Sequence, residues 1–366
     1  MKNSFGNAIT ITLFGESHGE YIGAVVDGLA PGIEINHEYI KAKLALRRPS
    51  GKISTARIEA DEYSIVSGAF NGYTTGTPLC ILIPNTNKKS SDYGKTLDIP
   101  RPGHADYTAR EKYHGFEDYR GGGHFSGRIT AALVAACAIL QAALESKGIK
   151  IGSHITELHG AFDRQFDNLS EDIDLLAVKN FPVLTEEAEM RMIKEIEKAA
   201  AAGDSIGGIL ESAITGLPAG LGEPWFDSFE SMLSHGLFSV PGVKGVEFGL
   251  GFAFADVYGS EGNDSFAIND GRVITKTNNN GGINGGISNG MPVIFRSVIK
   301  PTPSIFKEQT SVSLSKMENT TLKIEGRHDP AIIHRARAVI DAVAAFVVAD
   351  ALTVRYGTDY LAKKDN

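Results

Sequence analysis

The alternation of apolar and polar positions from Ala8 to Phe14 predicts a half-buried strand running into Gly15-Glu16-Ser17-His18-Gly19, and residues 22 to 26 read as a second strand directly after it. Asn36 reads as the cap of a short helix from His37 to about Leu46, closed by Arg47-Arg48-Pro49. Short strands and turns follow from Arg57 to Pro84, and then a long irregular stretch from Asn85 to Gly123. Residues 129 to 144 are apolar nearly all round, the pattern of a buried helix, with Lys147 and Gly148 at its end. An amphipathic helix is expected over 186–202, strands around 209–215 and 245–258, a glycine-rich segment at 278–286, and a strand at 292–299. A last helix is expected to begin at Pro330, with Asp329 as its cap, and to run to about Val354.

One internal echo accompanies this pattern. Ser17-His18-Gly19 with 22–26 and Ala30-Pro31-Gly32 resembles Asp204-Ser205 with 206–210 and Leu217-Pro218-Ala219-Gly220. Each copy reads as a strand, a turn and a helix, which suggests two pseudo-symmetric halves.

Composition narrows the class. The 366 residues are 42% hydrophobic and 22% charged, an ordinary globular balance. The net charge of −8 argues against a surface built for nucleic acid or anionic membrane, so any anion site must be local. The start of the chain carries no apolar stretch of signal-peptide type, and the greasiest run, 131–140, is shorter than the ~20 residues of a membrane span. The expected location is cytoplasmic. Cys80 and Cys137, in apolar surroundings, read as core residues.

The stretch from Asn85 to Gly123 is too rich in histidine, arginine and aromatic residues for a linker and is the first candidate for a site. Arg120-Gly121-Gly122-Gly123-His124-Phe125-Ser126-Gly127-Arg128 lets the backbone approach a ligand and is expected to open directly into the helix starting near Ile129, whose free N–H groups attract an anion. Arg128 would add a bidentate donor. Pro100-Arg101-Pro102-Gly103-His104-Ala105-Asp106 is a stiffened loop presenting His104. His-x-Asp there and His328-Asp329 could form parts of a metal site, but no further ligand cluster appears, and no metal is expected. Lys300-Pro301-Thr302-Pro303-Ser304 offers a cation and two hydroxyls, as a phosphate clamp or a plain loop. Gly15-Glu16-Ser17-His18-Gly19 fits G-x-S-x-G, but a strand, not a helix, is expected after it, so a serine hydrolase is a weak reading. Phosphate-loop and dinucleotide-loop patterns are not met. The residues alone describe an enzyme for a multiply anionic small molecule with histidines available for proton transfer, and a non-catalytic anion-binding protein is the rival.

Taken together, GESHG at 15–19, RRP at 47–49, RPGHAD at 101–106, YRGGG with S-x-R at 119–128, GDSIGG at 203–208, the NNGGINGGIS run, KPTPS at 300–304 and GRHDP at 326–330 resemble the chorismate synthase family in order and spacing over nearly the whole chain. The resemblance implies an α+β fold with helices sandwiched between antiparallel sheets, internal pseudo-two-fold symmetry, and one domain over 1–366 (core about 5–356) without a separate flavin reductase domain. It implies a lyase of the shikimate pathway to aromatic amino acids. The reaction implied is the 1,4-anti-elimination of phosphate from 5-enolpyruvylshikimate 3-phosphate, giving chorismate with no net redox change. Reduced FMN and a homotetramer are implied with it, and an external flavin reductant is expected, while some family members carry an NADPH-dependent flavin reductase activity of their own. By resemblance His18 protonates the departing phosphate, His104 stabilises the reduced flavin near N1, and Asp329 helps remove the proton through flavin N5. Arg47, Arg48, Lys52 and Arg128 hold the substrate. His124, Phe125, Ser126, Pro241, Gly242, Gly285, Lys300, Pro301, Thr302, Pro303, Ser304 and Arg327 contact the flavin. The family commonly has Arg and Ser where this chain has His124 and Phe125, Arg at Lys52, and an Asn-Ala type pair at Pro241-Gly242.

Overall fold

In a computed structural model, described over residues 2–49, 53–54, 60–86, 97–324 and 328–362, two five-stranded antiparallel sheets enclose a layer of helices. The first sheet runs in the order Ser4–Phe5, Thr10–Gly15, Tyr21–Asp27, Leu79–Pro84, Ser64–Ser67. The second runs Val243–Phe248, Val293–Ile299, Gly208–Thr215, Lys150–Leu158, Ala161–Phe162. Six helices are used below: α1 (His37–Arg47), α2 (Asp106–Tyr113), α3 (Thr130–Ser146), α4 (Leu169–Val178), α5 (Glu186–Ala201) and α6 (Phe229–Ser239). The C-terminal helix is Ile333–Tyr356.

Helix α3 and the C-terminal helix fill the space between the sheets, buried almost all round. Helix α3 packs on α1 and the C-terminal helix and touches strands of both sheets. By length and composition, residues 127–146 could cross a membrane, which is more than the ten-residue run read from sequence, but 83% of the window is buried inside the protein. Strands Leu79–Pro84 and Val293–Ile299 alternate buried and half-buried positions, so each turns one face to this layer. Lys150–Leu158 is buried on both faces: Ser153 meets Asp341 of the C-terminal helix, while Gly152 lies against Ile173 of α4. Cys137 sits in the core, and Cys80 is only half buried.

The strand and helix order repeats. Thr10–Gly15, Tyr21–Asp27, α1, Ser64–Ser67, Leu79–Pro84 and α3 have the same neighbours as Lys150–Leu158, Gly208–Thr215, α6, Val243–Phe248, Val293–Ile299 and the C-terminal helix. Both outer strands slip register against their neighbour, at Ile65/Ser67 and at Val243/Gly245. The echo between 17–32 and 204–220 falls on equivalent strands, with α4 and α5 inserted in the second copy.

Four local expectations are corrected. The stretch from Asn85 to Gly123 contains α2, which buries only Ala109 and so leaves no apolar stripe to read. The strand expected over 245–258 stops at Phe248, because Gly249 and Gly251 take positive φ and the chain turns into a 3-10 segment, Gly251–Asp256. Arg120–Phe125 and Gly127–Ile129 form 3-10 turns before α3. The C-terminal helix starts at Ile333 without a side-chain cap, because Ile332 stands in the cap position, and the Asp329 carboxylate accepts from Arg335 instead.

Asp350 of the C-terminal helix accepts from the backbone N–H groups of Asn7, Ala8 and Ile9 at 2.8–2.9 Å, tying the N-terminal segment to the helix layer. Asp350→Ala would leave these donors, of which that of Ile9 is buried, without their acceptor and is expected to destabilise the protein by about 1–3 kcal/mol, read as a lower urea midpoint. Asp350→Asn, which keeps an acceptor, is expected to lose less.

Candidate active site

Gly15 closes its strand at φ +94, where a Cβ would lie 2.3 Å from the Tyr21 carbonyl. GESHG is therefore the connection between two paired antiparallel strands, Thr10–Gly15 and Tyr21–Asp27. It is not the strand-to-helix turn that exposes a nucleophilic serine, and the hydrolase reading loses its structural context. Ser17 Oγ lies 3.0 Å from the Arg120 carbonyl and 3.2 Å from that of Gly121, to which it donates, and 3.1 Å from Nδ1 of His18. With the hydroxyl proton so committed, the imidazole can donate from Nδ1 to Ser17.

The glycine run explains how two distant loops meet. Gly121, Gly122 and Gly123 have φ of +60, +84 and +52, a region that side chains disfavour. A Cβ on Gly121 would come within 2.3 Å of His18 Cε1, and one on Gly122 within 3.0 Å of His104 Cε1. The bare backbone thus runs against both imidazoles. Gly123 anchors it by accepting from the Ser17 N–H at 3.1 Å.

His104 is held by its own loop. Asp106 Oδ1 lies 2.6 Å from His104 Nδ1, and Arg101 grips the same carboxylate with Nε and Nη2, both at 2.7 Å. Arg101 Nη1 reaches Ser304 Oγ at 3.3 Å. Burial would raise the Asp106 carboxyl, but hydrogen bonds from Arg101 and His104 outweigh it and hold the group well below the ordinary carboxylate range. His104, Asp106, Tyr119, Gly122 and Phe125 line a shallow open cleft.

The arginines converge on a residue absent from the sequence expectations, Asp61. Arg47 Nη2 donates to it at 2.9 Å, Arg48 Nε lies at 3.5 Å, and Arg128 Nη1 donates to its other oxygen. Burial raises the Asp61 carboxyl, and the charges of Arg47 and Arg128 overcome this and lower it. Asn85 accepts from Arg128 Nε at 3.1 Å and donates to the Glu16 and Gly19 carbonyls, joining the cluster to the His18 loop. Arg335 donates to the Arg47 carbonyl at 2.8 Å and to Asp329 at 2.5 Å, so Asp329 belongs to the same network.

The remaining expected residues divide. Lys300 Nζ donates to the Gly103 carbonyl beside His104, and the Lys300 N–H donates to Gly242 at 2.9 Å, which brings Lys300 to Ser304 and Pro241-Gly242 to the Arg101 loop. Thr302 Oγ1 is buried without a hydrogen-bond partner. His124 Nδ1 lies 2.8 Å from the Gly15 carbonyl, and Phe125 packs edge-on to Tyr113. Ser126 spends its hydroxyl on the Arg128 N–H and its carbonyl on that of Ile129, so the start of α3 is not the open anion site the sequence suggested. Gly285 turns a small hairpin, Ile283–Asn284 with Ile287–Ser288, whose next residue Gly286 accepts from Phe229 of α6. Lys52 and Arg327 lie outside the described residues.

The sequence profile of chorismate synthase matches residues 9–353. The chain belongs to the chorismate synthase family. It is 47% identical over 350 residues to the chorismate synthases of Thermococcus gammatolerans and Pyrococcus abyssi, covering 96% of this chain and 97% of each relative. It is 45% identical over 360 residues to that of Dehalococcoides mccartyi strain BAV1, covering 98% of both chains. A crystal structure of chorismate synthase matches with a TM-score of 0.75 at 26% identity, over 97% of this chain and 95% of the other. The enzyme family and the α+β sandwich expected from the motifs are both borne out.

Two predictions follow for this member of the family. Gly121→Ala should displace the His18 imidazole and lower turnover about 10²-fold with the fold intact by circular dichroism; wild-type turnover would show that the close approach does not matter. The Asp106 carboxyl titrates near 4 in an unfolded chain and well below that when folded, so its stabilisation is complete above about pH 5 and fades as pH falls. The stability deficit of Asp106→Asn should therefore be largest near neutrality and shrink below about pH 4 in urea melts.

Proposed function

We propose that this chain catalyses the 1,4-anti-elimination of phosphate from 5-enolpyruvylshikimate 3-phosphate to give chorismate, with reduced FMN required and no net redox change. The observation that carries this reading is the pair of imidazoles held against a bare glycine backbone, with a three-arginine cluster joined to the His18 loop through Asn85. A substrate with one phosphate and two carboxylates calls for planar, permanently charged donors, and Arg47, Arg48 and Arg128 supply them. Lys52 would add a point charge. With Ser17 on Nδ1 of His18, the proton for the departing phosphate would leave from Nε2. Asp329, oriented by Arg335, would take the proton lost from the substrate ring.

The residues on the His104 side fit a flavin nucleotide. Thr302 has a buried hydroxyl with no partner, and burial and then the neighbouring charge of Lys244 lower the ammonium of Lys300, a strain that an anionic phosphate would relieve. Gly122 leaves a face that a Cβ would fill. Residues Lys300 to Ser304, His104, Phe125, His124, Ser126, Pro241, Gly242, Gly285 and Arg327 would hold the cofactor. When bound, reduced FMN supplies electron density that assists cleavage of the carbon–oxygen bond to phosphate. His104, fixed by Asp106 and Arg101, would present its imidazole to the flavin ring in one orientation.

Exposed Phe252, Phe254, Phe266, Ile268 and Val273 support a homotetramer as the working form. The reduced flavin is inferred to come from an external reductant, in the cytoplasm.

The test is anaerobic: protein, dithionite-reduced FMN and 5-enolpyruvylshikimate 3-phosphate, with phosphate and chorismate followed together and an oxidised-flavin control. Equal release of both products only with reduced flavin is expected. His18→Ala and His104→Ala should each lower the rate by about 10²–10⁴. No turnover by folded, flavin-bound protein would overturn the reading.

A further inference from the structure

We propose that Asp61 is a built-in counter-anion that occupies the arginine cluster and sets its selectivity against inorganic phosphate. This rests on the reading that Arg47, Arg48 and Arg128 bind substrate anions.

Asp61 is 3% exposed, and its two carboxylate oxygens are shared among the three guanidinium groups. The backbone is held at φ +49, a conformation in which Asp and Asn are tolerated better than most residues. The carboxylate is therefore fixed where three cations meet, and its partners lie 14 and 67 residues away along the chain for Arg47 and Arg128. Arg335 and Asp329 form a separate pair beside it.

The charge balance gives the consequence. Among these four groups, three guanidinium groups around one carboxylate carry a net charge of +2. A small anion entering this space meets both the attraction of the arginines and the repulsion of Asp61 at contact distance, where unit charges interact strongly in a partly desolvated site. A substrate with several anionic groups can reach the cations from more than one side and still be held. A lone phosphate, the product that must leave, cannot. Asp61 thus keeps the guanidinium groups oriented in the absence of ligand and weakens the retention of phosphate.

Asp61→Asn tests this directly, because the amide has the same shape and accommodates the left-handed backbone. Inorganic phosphate is titrated calorimetrically into wild type and variant without flavin, with circular dichroism to establish folding. Phosphate should bind the variant at least tenfold more tightly, and phosphate inhibition of turnover should appear at correspondingly lower concentration. A residue that merely braced the arginines would, when neutralised, leave phosphate affinity unchanged or lower, and that result in a folded variant overturns the proposal. Asp61→Gly, free of backbone strain at this φ, repeats the titration if the Asn variant does not fold; failure of both to fold assigns Asp61 to the fold and also overturns it. A wild type that makes no chorismate but shows the same Asp61-dependent phosphate affinity defeats the functional reading and leaves the proposal standing.

Discussion

The close approach of the 121–123 backbone to two imidazoles is the constraint on which the site depends. A side chain at Gly121 would overlap His18, one at Gly122 would press on His104, and one at Gly123 would collide with the Asp118 carbonyl. Positive φ at all three positions means that the shape is set by the chain itself. Because Gly123 also accepts from Ser17, the same three residues fix the distance between a hairpin loop of the first sheet and the loop ahead of α2. Proton-transfer groups from sequence positions far apart are thereby held in one rigid frame, which is what preorganised catalysis requires.

The repeated topology shows how such a frame can be attached to only one half of the molecule. The tight connection that carries His18 in the first copy corresponds in the second to the long excursion through α4 and α5. The helix layer tolerates this because it is held by burial on both sheets, with α3 and the C-terminal helix as its two central members. The two copies share a scaffold and do not share chemistry.

Much of that scaffold was legible. Asn36 capping α1, the all-apolar α3 and the amphipathic α5 have local signals in period and cap, and all three helices form. Helix α2 was hidden because it is short and nearly all exposed, and the strand end at Phe248 because it depends on glycine angles. The site followed the same division. His18, His104 and the arginines stand in recognisable motifs, whereas Asp61 gathers residues from two other segments and no spacing along the chain could reveal it. Asn85, linking Arg128 to the His18 loop, was equally invisible. Asp106 was in plain sight, but its part in holding His104 required the distance.

The carboxylates resolve the apparent conflict between an acidic chain and an anion site. Around the imidazoles Arg101 is matched by Asp106, Arg120 by Asp118, Arg335 by Asp329, and the arginine trio by Asp61. All but the Arg120 pair are largely buried, and such pairs cost desolvation that their attraction only partly returns, so stability alone does not account for them. Arg337 shows the alternative: in the helix layer it binds the carbonyls of Leu176 and Lys179 at the end of α4 and serves packing. The paired arginines differ in that their partners are carboxylates, which fix the direction of each guanidinium before a ligand arrives. Orientation is established during folding, and an arriving anion then meets donors that need little rearrangement.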